Sequence, residues 1–141
     1  MLCTLLSTAS ALPVADIFDK TKIASGRVFV APADYHLLVA KENFALSTEE
    51  PVHFTRPSID ILFETASEVF RDRTTGVVLT GNGRDGAEGL ARIMTLGGMA
   101  VIQEPMTAEA RGMPDAALET VPRARVCPLE EIAPLLIKEL R

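Results

Sequence analysis

The sharpest chemical feature of this 141-residue sequence is the segment Gly81-Asn82-Gly83-Arg84-Asp85-Gly86. It follows an apolar run and precedes a helical pattern, and in open α/β sheets ligands bind beyond the carboxyl ends of strands, where such loops lie. Its glycines permit unusual torsions and close backbone approach, and the next helix offers free N–H groups at its start. A phosphate cradle is disfavoured, because the spacing is neither G-x-G-x-x-G nor a P-loop and Asp85 would repel an anion. Asp85 itself has two compatible readings. It is placed to cap the following helix, with Glu88 three residues on completing a capping box, and its second oxygen is free to orient a histidine.

The other reactive side chains are less suggestive. His36 follows a turn and His53 sits in a polar stretch. Neither has a metal-type partner at i+3 or i+4, so both read as structural or solvated, and no metal site is expected. No G-x-S-x-G elbow is present; Ser7, Ser10 and Ser58 lack a strained turn, and Ser58 beside Pro57 reads as a helix start. Arg56 and Arg111 are isolated, a setting in which arginines are more often solvated than bound to a carboxylate. Cys3 and Cys127 stand far apart with no C-x-x-C spacing, which excludes a readable zinc or redox pair and points to a reducing compartment.

The elements that would hold these residues can be read from periodicity. The uncharged opening, residues 1–15, lacks the basic start and unbroken apolar stretch of a secretory signal, so it reads as the end of a helix followed by a strand at 13–17. Residues 27–31, 36–40 and 44–46 are short β-branched or aromatic runs separated by turn signals, a hairpin or small meander. Ile59, Leu62, Phe63, Ala66, Val69 and Phe70 then recur at helical spacing, with Pro57 in the first turn. Residues 75–80 form a nearly continuous apolar run, the pattern of a parallel strand buried on both faces. A helix from Ala87 to the stop at Gly97-Gly98, a strand at 99–102, a short helix from Met113 through Leu118, and a strand at 124–127 follow. The last pattern, 129–140, contains Pro134, which is expected to divide a short turn from the final helix. Strands alternating with helices predict an α/β fold: three layers, doubly wound, with a mostly parallel sheet and a β-hairpin.

Composition limits the function classes. One domain is expected at ~100–200 residues per domain. With 48% hydrophobic and 23% charged residues the chain has the makings of a packed core. Lys and Arg number 14 against 19 Asp and Glu, a net charge of -5 without a basic cluster, which argues against nucleic-acid binding. Aromatic residues make up 5% and Trp is absent, so stacking platforms for single strands are missing as well. No run approaches the ~18 apolar residues of a membrane span.

The strand-loop-helix of residues 76–90, GVVLTGNGRDGAEGL, resembles the most characteristic segment of the CheB-type protein-glutamate methylesterase domain of bacterial chemotaxis. The likeness extends to GRVFVAPADYHL at 26–37, RPSIDILF at 56–63 and GMPDAA at 112–117, covering 12–140 in the family's order. It implies a cytoplasmic enzyme, needing no cofactor, that hydrolyses methyl esters of glutamates on methyl-accepting chemoreceptors, and deamidates certain glutamines, through a Ser-His-Asp triad. Asp85 matches the triad aspartate. The family's serine loop, G-x-S-x-G-G, and its histidine segment belong to the N-terminal half and have no counterpart here. The expectation is therefore a single partial domain, 1–141, truncated at its N-terminus, without the receiver domain that usually precedes the esterase, and inactive by itself; the alternative is a non-catalytic remnant or binding module of the same pathway. The loop credited with oxyanion stabilisation commonly has Met where this chain has Asn82, whose amide could donate to an oxyanion. Gly83 and Met113 complete the oxyanion and substrate-loop candidates. Arg111 departs from the aromatic or aliphatic residue expected there. An uncovered sheet edge or helix face should favour homo-oligomers, through Leu2, Leu5 and Leu6.

Overall fold

A computed structural model describes residues 2–140; Met1, with which the apolar opening segment begins, and Arg141 lie outside them. The uncharged opening forms helix α1 (Leu2–Ala9), none of whose residues is buried. Strand β1 (Val14–Asp16) pairs in parallel with β2 (Val28–Val30), Val14 opposite Val28. Strands β3 (His36–Val39) and β4 (Phe44–Ser47) make the expected hairpin, Val39 opposite Phe44, its turn closed by Ala40 N–H donating to the Asn43 carbonyl at 2.8 Å. Leu37, Val39 and Phe44 bury their side chains with Ile17, and Phe29 meets Phe44 edge to face at 5.0 Å between ring centroids.

Helix α2 (Ile59–Phe70) closes this small core with Leu62, Ala66, Val69 and Phe70. It starts one residue beyond Ser58, so Pro57 precedes the cap and is not part of the first turn. Strands β5 (Thr75–Val78), β6 (Met99–Gln103) and β7 (Arg125–Cys127) form a parallel sheet in that order, crossed by α3 (Ala87–Thr95) and α4 (Gly112–Thr120). Val78, Ala100 and Ile102 point into the main core with Ala87, Leu90, Ile93, Ala117 and Val121. The alternate residue Val101 is also fully buried but stands outside that cluster, so β6 is covered on its second face too. Helix α5 (Leu129–Glu139) packs on β6 and buries Ile132. This is the α/β architecture with parallel sheet pieces and a hairpin that the periodicity implied.

Two local expectations are corrected. Strand β5 is not buried on both faces: Gly76 and Val78 are buried while Thr75 and Val77 are half-buried, because α3 packs on one side only. Pro134 does not divide the last element, and α5 runs through it without a break. The amide that proline lacks would have bonded the carbonyl of Glu130, in the exposed first turn of α5, where water can satisfy it. Helix α3 ends as its glycines suggested. Gly97, at φ 92°, lets Gly98 N–H reach the Ile93 carbonyl at 2.9 Å and Gly97 N–H the Met94 carbonyl at 3.0 Å, a Schellman stop.

Candidate active site

The loop of residues 81–86 leaves the carboxyl end of β5 and turns into α3 through Gly83 at φ 85° and Gly86 at φ 99°, the latter being the N-cap position of α3. Asp85 therefore does not cap α3, and no capping box forms with Glu88, which is exposed. The left-handed turn at Gly86 aims the carboxylate at another helix. Asp85 Oδ2 accepts from Ile59 N–H at 2.6 Å, and Oδ1 from Asp60 N–H at 3.1 Å and the Ser58 hydroxyl at 2.8 Å. These are the free donors at the start of α2, where a negative charge also favours the helix dipole.

The arrangement is reciprocal. Asp60, in the first turn of α2, accepts through Oδ1 from Gly86 N–H at 3.1 Å and Gly89 N–H at 2.7 Å, at the start of α3. Each helix is thus capped by an aspartate belonging to the other segment. Burial pushes the Asp60 carboxyl above its ordinary range; the Gly89 amide opposes the rise, the Asp85 charge adds to it, and the Gly86 amide and His53 oppose it. Gly89 lets the helices approach, since a Cβ there would sit 2.7 Å from Phe63 Cβ and 3.0 Å from Asp60 Cα.

A carboxylate offers about four acceptor positions, and three donors hold Asp85. Thr55 Oγ1 lies 3.4 Å from Oδ2, but its proton has a nearer acceptor in the Val52 carbonyl at 2.8 Å. One acceptor position is left at a residue only 5% exposed. Chemically the group can accept one more N–H while its own geometry stays fixed.

Neither histidine of the chain takes that position. His36 is buried under Ser58: its Nδ1 accepts from Ser58 N–H at 3.2 Å, so the proton sits on Nε2, 2.8 Å from the Glu50 carbonyl. That tautomer follows from the bonding network. His53 faces Asp60, with Nε2 3.5 Å from Oδ2. Ser58, Asp85 and His36 meet, yet they do not form a nucleophilic relay, because the buried Ser58 hydroxyl gives its proton to the carboxylate instead of to an imidazole.

The neighbouring loop braces the site. Met113 N–H donates to the Gly81 carbonyl at 2.8 Å, Gly81 N–H to the Ala110 carbonyl at 3.0 Å, and Thr80 Oγ1 accepts from Ala110 N–H at 2.8 Å. Gln103, buried at the end of β6, accepts from Thr80 N–H at 2.9 Å. The Met113 thioether lies against Gly81, and a Cβ on Gly112 would come within 2.9 Å of Gly83 N. Asn82 and Gly83 are exposed beside Asp85 on this braced loop. Arg111 pairs with Asp115 one turn on, at 3.3 Å, and Arg56 donates to the Thr48 and Glu49 carbonyls at 3.1 and 3.2 Å. Sequence reading missed Ser58, Asp60, Thr80 and Gln103 as positioning residues. The one available signal was the polar start Ser58-Ile59-Asp60, which marks a helix N-terminus but does not reveal a partner 25 residues away.

Residues 1–136 match the model of the CheB methylesterase family. A Leptospira interrogans protein named for protein-glutamate methylesterase and protein-glutamine glutaminase is 49% identical over 128 residues, 90% of this chain and 66% of the relative. The protein-glutamate methylesterase/protein-glutamine glutaminase of Pyrococcus horikoshii is 38% identical over 137 residues, 94% of this chain and 37% of the relative. The chain therefore spans just under two thirds of the first relative and little over a third of the second. The crystal structure of the Thermotoga maritima CheB methylesterase catalytic domain superposes with a TM-score of 0.92 at 30% identity, covering 97% of this chain and 75% of that one. The chain belongs to the CheB methylesterase family.

Proposed function

We propose that this chain supplies the aspartate arm of a Ser-His-Asp esterase site acting in the cytoplasm on glutamate methyl esters of methyl-accepting chemoreceptors, and on glutamine amides by the same route. The serine and histidine come from the family segment that the 141 residues do not contain, so the chain is one part of a catalytic domain. In the assembled site the serine hydroxyl attacks the ester carbonyl as the histidine takes its proton, and methanol leaves with that proton. Water then hydrolyses the acyl-serine through the same histidine. Asp85 accepts the imidazole Nδ1–H, fixes the tautomer and stabilises the imidazolium; it never receives the proton. The observation that carries this reading is the Asp85 carboxylate, buried at the carboxyl end of β5, held by three donors and left with one acceptor position. Asn82 and the Gly83 amide, on a loop braced by Met113, are the donors for the developing oxyanion.

Methanol release from methylated receptor tests it. The 141-residue chain alone should release none above a denatured control, and adding the N-terminal half of a related esterase domain, fused or co-expressed, should restore hydrolysis. In that reconstituted domain Asp85→Asn should lower kcat by roughly 10⁴-fold, the serine-protease precedent for a wrong imidazole tautomer, with folding verified by circular dichroism. Equal hydrolysis by a folded Asp85→Asn variant would leave Asp85 only its capping role at α2.

A further inference from the structure

Two side chains that the esterase reading leaves unused, His53 and Glu88, converge on the free oxygen of Asp60 where α2 meets α3. His53 projects from a turn closed by Val52 N–H donating to the Thr55 carbonyl at 3.0 Å and Thr55 N–H to the Val52 carbonyl at 2.9 Å. Its Nε2 stands 3.5 Å from Asp60 Oδ2, and a carboxylate oxygen of Glu88 completes a cluster whose donor atoms all lie within 4.8 Å of one another. Asp60 Oδ2 decides the matter. The Asp60 side chain is 4% exposed, and this oxygen has no hydrogen-bond donor among the described residues, since both α3 amides go to Oδ1. A buried carboxylate oxygen left without a partner is costly.

The spacing fits a metal better than a hydrogen bond. At 3.5 Å the His53–Asp60 pair exceeds the roughly 2.7–3.2 Å of a good N–H···O bond. Two ligands on a tetrahedral ion with bonds of about 2.0–2.2 Å stand roughly 3.4 Å apart. We propose that His53 Nε2, Asp60 Oδ2 and Glu88 bind a divalent transition-metal ion, zinc being the best match, with water in the fourth position. One imidazole nitrogen with two carboxylates suits zinc better than magnesium or calcium, which take all-oxygen shells. His53 then carries its proton on Nδ1. The side chain of Glu88 is exposed enough to turn inward, and its 3.9 Å contact with Arg84 is a solvated pair that offers little competition. Spacing along the chain does not reveal this site, because the nearest partner of His53 is seven residues away on another element.

Zinc titration of the chain, stripped with chelator and exchanged into buffer, tests the proposal by competition with a chromophoric indicator. One equivalent should bind. His53→Ala and Glu88→Gln should each weaken binding by more than the roughly 10–100-fold that losing an outer-shell partner costs, and Cys3→Ser with Cys127→Ser should leave it unchanged. Cobalt in place of zinc should give the intense visible bands of four-coordination, lost in His53→Ala. Both variants alter partly exposed side chains outside the core and should fold as the parent does. Absence of a tight equivalent, or affinity unchanged by both His53→Ala and Glu88→Gln, overturns the proposal and leaves His53 as a charge partner of Asp60. Metal binding is read without esterase activity, so its failure is distinct from failure of the triad assignment.

Discussion

Asp60 and Asp85 are the same residue type in mirror-image duties, yet their two oxygens are used differently, and that difference predicts opposite responses to amidation. Asp85 accepts at both oxygens. Asp85→Asn must set an NH₂ group against a backbone N–H of α2 whichever way it is flipped, and should cost about 1–3 kcal/mol of stability. Asp60 accepts at Oδ1 alone, so Asp60→Asn keeps both α3 caps and removes a buried charge. Because burial raises the folded-state pKa of Asp60 above 3.8, the native state binds the proton more tightly than the unfolded chain does. Stability therefore falls as pH rises from about 3.8 through that raised value, and below this window the group contributes no penalty. Urea denaturation in chelator at pH 4 and pH 7 should show a smaller loss for Asp60→Asn than for the parent, the remainder coming from groups such as Glu64, which is raised too. An equal loss in both would show that Asp60 does not titrate as its burial requires. None of this pairing was legible in the sequence. The loop around Asp85 announced itself by its glycines, but the carboxylate's target lay 25 to 27 residues back along the chain.

At the scale of elements, periodicity located the helices and strands but did not decide how many faces each one buries. The spacing from Ile59 to Phe70 marked α2 because one stripe of that helix faces the core. The apolar run of β5 suggested burial on both faces, and only the α3 side is filled. Pro134 was a sound local signal that the exposed position of the first turn of α5 overrode. Helix-helix contact was hidden altogether, because the small residue that permits it reads as a weakness in a helix. Gly89 is that residue. A Cβ there would meet the Phe63 side chain at 2.7 Å and Asp60 backbone at 3.0 and 3.1 Å. Gly89→Ala should therefore destabilise the chain by about 1–3 kcal/mol, as overpacking does, although alanine is the better helix former. Thermal unfolding at or above the parent's midpoint would mean that α2 can retreat without loss, and that the two aspartate caps tolerate a wider helix spacing.

Exposed apolar side chains are scattered over the molecule, Phe54, Met106 and Ile137 among them, and one group lies on α1 and just after β1. Leu2, Leu5 and Leu6 of α1 are exposed, α1 packs on β1 alone among the larger contacts, and Phe18 is 74% exposed next to a cavity of about 530 Å³ that Tyr35 also lines. Strand β5 stands at one edge of its sheet. The Thermotoga domain extends beyond the part that this chain matches, and on the function proposed above these surfaces are where the family's serine- and histidine-bearing half packs. Unsatisfied edges and apolar patches associate when that half is withheld, so the 141-residue chain should be a dimer or larger species at tens of micromolar, on the order of common protein–protein affinities. The same surface cannot serve a second copy and the complementary half at once. Adding the half from a related domain should therefore shift the light-scattering mass to that of a one-to-one complex, and Leu5→Lys should dissolve the self-association while leaving Asp85 and its caps untouched. A chain that is monomeric at this concentration, or whose oligomer persists unchanged beside the bound half, would place the contact elsewhere and separate the exposed leucines from the surface on which the catalytic domain is completed.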